Sequence, residues 1–71
     1  MAERLINRLR EERARLALTQ ADLAEKVGVS RKTINTVENG VFIPSTVLAL
    51  RLAKALGTTV ESLFHLAEGK R

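Results

Sequence analysis

Polar side chains between Ser30 and Asn39 are of types that recognise other molecules by hydrogen bonding. If this run is helical, each residue turns by about 100°, and Ile34 and Val37 then share one side with Ser30. The opposite side and its flanks carry Lys32, Asn35, Thr36 and Asn39, with Arg31 and Thr33 beside them. That face has two cations and no acid. Because such side chains pair with base edges in a DNA major groove, which admits one helix, we predict a nucleic-acid-reading face.

Gln20 adds a second candidate contact at the start of the preceding segment. A side chain there, together with the free backbone N–H groups of a helix N-terminus, can hold a phosphate. Each feature also has a plainer interpretation, since Gln20 can be an ordinary first-turn residue and the polar face can simply be solvated. The absence of acid and the turn before the polar run favour recognition.

Two short helices must position these residues. Thr19 is a good N-cap, and Asp22 follows it at the spacing of a capping box. Gly28 suits the left-handed conformation that ends a helix, and Ser30 is a second N-cap only two residues later. A connection over residues 28–30 is too short for a relaxed antiparallel hairpin. It therefore predicts two steeply crossed helices, the helix-turn-helix unit, over about residues 19–38.

The rest of the chain is rich in helix formers. We predict a basic amphipathic first helix from about Glu3 to Ala17, a fourth from Thr46 to Leu56 and a fifth from Val60 to about His65. No segment alternates in polarity for long enough to predict a strand. The sequence thus predicts an all-α fold, a compact five-helix bundle over residues 1–66, with a short polar tail over residues 67–71.

Composition excludes several classes of protein. The chain has 71 residues, 45% apolar and 28% charged, which fits one small domain. Cysteine is absent and His65 is the single histidine, so we expect no metal site, no cofactor and no enzyme. No apolar run is long enough to cross a membrane, and no small-molecule ligand is indicated. A net charge of +4 favours a polyanionic partner, and we expect a cytoplasmic, prokaryotic or phage-type protein.

The stretch LTQADLAEKVGVSRKTINTVENG, from Leu18 to Gly40, resembles the helix-turn-helix of the phage-repressor-like family, also called the Cro/cI or XRE family. The fourth and fifth helices also resemble that family, at Pro44-Ser45, Leu48-Ala49, Leu52-Ala53, Leu56-Gly57 and at Glu61, Leu63 and Phe64. The resemblance covers about residues 5–65. It implies a lambda-repressor-like fold and sequence-specific binding of double-stranded DNA.

Particular roles follow from this resemblance. Gln20 would contact phosphate and brace the recognition helix, whereas Ser30 and Thr33 would cap that helix and touch phosphate. The candidate base readers are Arg31, Lys32, Asn35 and Thr36, with Asn39 on the same face. Arg13 would form a partly buried ion pair with Glu38, tying the first helix to the third.

The sequence departs from the family pattern in its charges. The loop Val41-Phe42-Ile43 has no charge where relatives often carry polar or basic residues, and residues 19–40 are neutral overall.

Apolar residues beyond the needs of a core, among them Val47 and Leu50, suggest a two-fold interface. We therefore predict a homodimeric transcriptional regulator, most simply a repressor. The alternatives are an antitoxin with a protein partner, a restriction–modification controller, and a protein-interaction module without DNA binding.

Overall fold

Five helices and two short strands are found in the computed structural model, which describes residues 3–68. In chain order they are β1 (Glu3–Asn7), α1 (Leu9–Arg15), α2 (Gln20–Val27), α3 (Arg31–Glu38), α4 (Thr46–Leu56), α5 (Val60–Leu63) and β2 (Phe64–Glu68). The helix-turn-helix prediction is confirmed, because α2 and α3 are joined by residues 28–30. Within the described range no helix has the length and hydropathy of a membrane span.

The helix boundaries lie at the predicted capping residues. The Thr19 hydroxyl accepts from the Asp22 N–H at 2.9 Å, and the Asp22 carboxylate accepts from the Thr19 N–H at 3.0 Å, completing a capping box. These hydrogen bonds from Thr19 hold the pKa of Asp22 below its ordinary value. The hydroxyl groups of Ser30, Ser45 and Thr59 cap α3, α4 and α5, each by accepting from the backbone N–H three residues further on. Gly28 ends α2 at a φ of 78°, in the left-handed region that glycine adopts without strain.

The core lies between the helix-turn-helix and α4. Its largest fully buried side chains are Leu9, Leu23, Ile34, Val37, Leu52, Leu56 and Leu63. Ala24 is 3% exposed in α2, where a larger side chain would have to displace its core neighbours. Phe64 also belongs to this core. The α3 helix is therefore fixed on a packed base while its other side remains open to solvent.

The all-α prediction is wrong at both ends of the described chain. Residues 3–7 form a strand rather than the start of a helix, and β1 pairs antiparallel with β2, Glu3 opposite Glu68 and Asn7 opposite Phe64. The first helix therefore begins only at Leu9. The fifth helix ends at Leu63, because Phe64 turns to extended backbone and continues into β2.

The predicted tail is affected by the same correction. Ala67 and Glu68 belong to β2, so only residues 69–71 of that tail lie outside the described part of the chain. The first helix also ends earlier than predicted, at Arg15, and Ala17 takes a φ of 58° beyond it.

Asn7 joins the sheet to two helices. Its Oδ1 accepts from the Leu9 N–H at 3.1 Å and so satisfies the first backbone donor of α1. Its Nδ2 donates to the carbonyl oxygens of Val37 and Glu38 at 3.0 and 3.4 Å, in the last turn of α3. One amide thus satisfies backbone groups at the ends of two helices, groups that a helix cannot satisfy by itself.

Replacing Asn7 with alanine is expected to lower the free energy of unfolding by about 1–3 kcal/mol, because the Leu9 N–H loses its acceptor and two part-buried carbonyls lose their donor. Urea denaturation measures this loss. Arg8→Ala is the matched control, since the neighbouring Arg8 side chain is exposed and makes no cap bond. Equal, small losses for both variants would show that Asn7 does not tie α3 to the sheet.

Candidate nucleic-acid interface

The polar face of α3 is open to solvent as predicted, and its apolar face is buried. Ile34 and Val37 are 0% and 1% exposed. Exposed or half-buried side chains on the other face and at its edges are Arg31, Lys32, Thr33, Asn35, Thr36 and Asn39. This face contains no acid, because Glu38 points its carboxylate inward, with a side chain that is 0% exposed. A polyanion approaching α3 therefore meets donors and cations.

The Glu38 carboxylate joins three elements. Arg13 Nε donates to Oε2 at 2.8 Å and Arg13 Nη2 donates to Oε1 at 3.3 Å, a two-pronged ion pair from α1. Arg13 Nη1 also donates to the Leu18 carbonyl at 2.9 Å. Burial raises the pKa of Glu38, but hydrogen bonds from Arg13 and Gln20 and the charges of Arg13 and Arg10 outweigh it, so the pKa is lowered. The carboxylate thus remains ionised and holds α1, α2 and α3 together.

Gln20 acts on α3 directly. Its Nε2 donates to Glu38 Oε1 at 3.1 Å and to Asn35 Oδ1 at 3.2 Å. Asn39 Nδ2 also reaches Asn35 Oδ1, at 3.4 Å. The Asn35 oxygen therefore accepts from two neighbours, which fixes the side-chain amide and leaves its Nδ2 as the available donor. These bonds connect the start of α2 to two residues of α3.

The hydroxyl groups of the predicted site are engaged locally. Ser30 Oγ accepts from the Thr33 N–H at 3.1 Å and lies 3.0 Å from Thr33 Oγ1. Thr36 Oγ1 donates to the Thr33 carbonyl at 2.9 Å. These three residues shape the start and middle of α3. The long side chains of Arg31 and Lys32 and the amides of Asn35 and Asn39 remain the outward polar groups.

Arg10 was not predicted as part of the site, yet it lies beside it. Its Nη2 donates to Asn39 Oδ1 at 3.4 Å, and its Nε is 3.6 Å from Glu38 Oε1. The signal was present in the sequence, because Arg10 precedes Arg13 by three residues and thus shares its helix face. The bonds from Asn7 to α3 gave no such signal, since Val37 and Glu38 are distant from it in sequence.

Apolar side chains lie exposed on another part of the surface. In the loop after α3, Val41 and Ile43 are 77% and 71% exposed. On α4, Val47 and Leu50 are 59% and 57% exposed. An apolar groove runs beside Leu50, lined further by Leu5, Pro44, Thr46, Ala49, Val60 and Phe64. Phe64 is 8% exposed and belongs to the core, whereas Phe42 and Leu66 are 47% and 61% exposed.

The comparison with protein families agrees with this geometry. A family model described as helix-turn-helix matches residues 9–63. The chain belongs to the helix-turn-helix family of the XRE, or Cro/cI, type, a family of DNA-binding transcription regulators. The resemblance noted in the sequence is thereby confirmed.

Particular relatives extend the match. An uncharacterized HTH-type transcriptional regulator of Methanothermobacter thermautotrophicus is 51% identical over 61 residues, covering 84% of this chain and 88% of that protein. The uncharacterized HTH-type transcriptional regulator YgzD of Bacillus subtilis is 42% identical over 62 residues, covering 87% and 94%. Among solved structures, the restriction-modification controller protein C.AhdI from Aeromonas hydrophila is similar, with a TM-score of 0.75 and 39% identity over 79% of this chain and 85% of that one.

Proposed function

We propose that the chain acts as a homodimeric repressor that binds an inverted-repeat operator, with α3 in the major groove. The observation that carries this proposal is the acid-free outward face of α3, held in place by the network around Glu38. A rigid helix with fixed donors supports sequence reading, because base recognition depends on the positions of hydrogen-bonding groups. Binding to promoter DNA would then exclude other proteins from the same site.

Different side chains take different parts in this proposal. Arg31 and Lys32 would pair with guanine edges, and Asn35 would donate from Nδ2 to an acceptor such as a purine N7. Thr36 and Asn39 would extend that contact along the groove. Ser30, Thr33 and Gln20 would contact phosphates, which set the register of the protein on the duplex without reading sequence.

The homodimer is supported by the exposed apolar surface on α4 and beside it. Val47 and Leu50 are exposed there, and Leu50 also lines the apolar groove. A two-fold pair would bury these side chains and present two α3 helices to one face of the duplex. Half-sites would then lie about 10 bp, one helical turn, apart.

Selection from a library of random duplexes, near physiological salt, tests the proposal. The expected result is an enriched inverted repeat with half-sites about 10 bp apart. An enriched site without two-fold symmetry would contradict the dimer. A folded protein that enriches no sequence would contradict sequence-specific binding.

The dimer makes a prediction of its own. Leu50→Glu should convert a dimer to a monomer in sedimentation analysis, because it places a charge on the apolar surface of α4. The matched control is Leu16→Glu, which changes an exposed leucine at the end of α1. If the Leu50 variant and the control sediment as the same dimer, the interface lies elsewhere.

A restriction–modification controller is a second candidate, favoured by the similarity to C.AhdI. The same domain and the same operator symmetry would serve both roles. Locating the selected operator in the source genome separates them. An operator upstream of a restriction or methylation gene favours the controller, and one upstream of other genes favours the general repressor.

A further inference from the structure

Two guanidinium groups share a single carboxylate at the edge of α3. Arg13 makes the close contacts to Glu38, and its side chain is 17% exposed. The Arg10 Nε lies farther from the carboxylate, 3.6 Å from Glu38 Oε1, and the Arg10 side chain is 63% exposed. One carboxylate balances one of these charges, so the outer guanidinium of Arg10 keeps an uncompensated positive charge at the surface. Its bond to Asn39 holds it beside the C-terminal end of the polar face.

A second exposed arginine lies at the same place. Arg4 in β1 lines an open cleft together with Asn7, Glu38, Asn39 and Gly40. The pairing of β1 with β2 fixes its position, with Arg4 opposite Ala67. Both arginines therefore border Asn39, although one comes from the sheet and the other from α1. They lie outside the helix-turn-helix, whose residues 19–40 carry no net charge.

We propose that Arg4 and Arg10 form a second surface that contacts DNA phosphates, next to the end of α3; this rests on the DNA binding proposed above. A guanidinium offers several donors in a planar fork that matches phosphate oxygens. Charge is the element that the neutral helix-turn-helix lacks, and backbone contacts supply most of the affinity of a protein for DNA. The sheet and α1 thus bring cations to the rim of the interface.

Arg4 and Arg10 could also have a purely structural role at these positions. The experiment must distinguish that role from a contact with phosphate. The C-terminal end of α3 carries a partial negative charge, and cations near it stabilise the helix. Losing a structural contact changes the thermal midpoint of the free protein but leaves the salt dependence of DNA binding unchanged. A phosphate contact changes the salt dependence of binding, because each contact releases counterions from the duplex.

The experiment measures affinity for a duplex of random sequence between about 50 and 200 mM salt, and compares slopes of log affinity against log salt. The variants are Arg4→Ala, Arg10→Ala and Arg10→Lys. Arg51→Ala is the control, because it removes an equal charge from an exposed site on α4, beside Lys26 and Lys54. Thermal midpoints of the free proteins are recorded in parallel.

Each alanine variant at Arg4 or Arg10 is expected to reduce the slope by about 1, and Arg10→Lys and Arg51→Ala to retain it. If the two alanine variants keep the slope of the control, the second surface does not exist, whereas the DNA-binding function stands. If the unaltered protein fails to bind duplex even at about 50 mM salt, both the function and this inference are overturned.

Discussion

Replacing Glu38 with alanine is expected to lower the free energy of unfolding by about 3–5 kcal/mol, the usual cost of removing one member of a buried ion pair. The loss arises because Arg13 keeps its charge in a position where only 17% of its side chain is exposed. Gln20 loses an acceptor at the same time. For a domain of this size such a loss is a large share of its stability. Urea denaturation measures it.

Glu12→Ala is the matched control for Glu38. Glu12 pairs with Arg15 at 2.7 Å within α1, and the side chains of Glu12 and Arg15 are 22% and 55% exposed. A pair in contact with water contributes about 1 kcal/mol or less. A loss below about 0.5 kcal/mol for Glu38→Ala would contradict the burial of the pair.

The Glu38 carboxylate should also contribute to the pH dependence of the free energy of unfolding. The pKa of Glu38 is lowered in the folded protein from an ordinary value of 4.5, so its ionised form stabilises the fold. This contribution is fully present above the ordinary value and declines as the pH falls below it through the folded pKa. Glu38→Gln should flatten that decline in urea denaturation at acidic pH. If the free energy of unfolding of Glu38→Gln declines as steeply as that of the unaltered protein, other carboxylates cause the decline.

Lys32→Ala and Asn35→Ala are expected to change base preference by about 1–3 kcal/mol, or roughly 5- to 150-fold, at the base pairs that these side chains contact. Lys32 is exposed, and within residues 3–68 its side chain makes no hydrogen bond or ion pair, so its loss should not alter the thermal midpoint. Asn35 gives up only its exposed contacts with Gln20 and Asn39. Competition binding against single-base variants of the selected operator measures the change.

Lys54→Ala provides the control for Lys32→Ala, because it removes the same charge from an exposed position on α4. Lys54→Ala should reduce the affinity for DNA only slightly and by the same factor for every sequence, or leave it unchanged. If Lys32→Ala and Asn35→Ala both keep the preference of the unaltered protein, the outward face of α3 does not read bases.

Local signals explain why the helix-turn-helix could be predicted. Thr19, Gly28 and Ser30 define helix ends through neighbours within a few residues, and Ile34 and Val37 mark the buried side by their spacing. Such signals need no knowledge of the rest of the fold. The polar face could be predicted for the same reason. Once the buried side of a helix is known, the helical repeat determines which residues face the solvent.

The sheet could not be predicted in the same way. Glu3 pairs with Glu68, so each strand finds its backbone partners at the opposite end of the chain. Residues 3–7 contain good helix formers, and the local pattern favoured a helix until tertiary pairing overruled it. The bonds from Asn7 to α3 could not be predicted on similar grounds, because a side-chain hydrogen bond between two elements depends on the angle and distance between them. The Arg13–Glu38 pair was expected only through family resemblance.

The most direct test of the central claim is a map of the surface that DNA contacts, obtained by titrating the isotopically labelled protein with a short duplex and following backbone amide signals by NMR. The proposal predicts that the largest changes fall on Lys32, Asn35 and Asn39, with a second group at Gln20. Changes concentrated on the exposed side of α4, with α3 unaffected, would contradict the assignment of α3 as the DNA-reading helix.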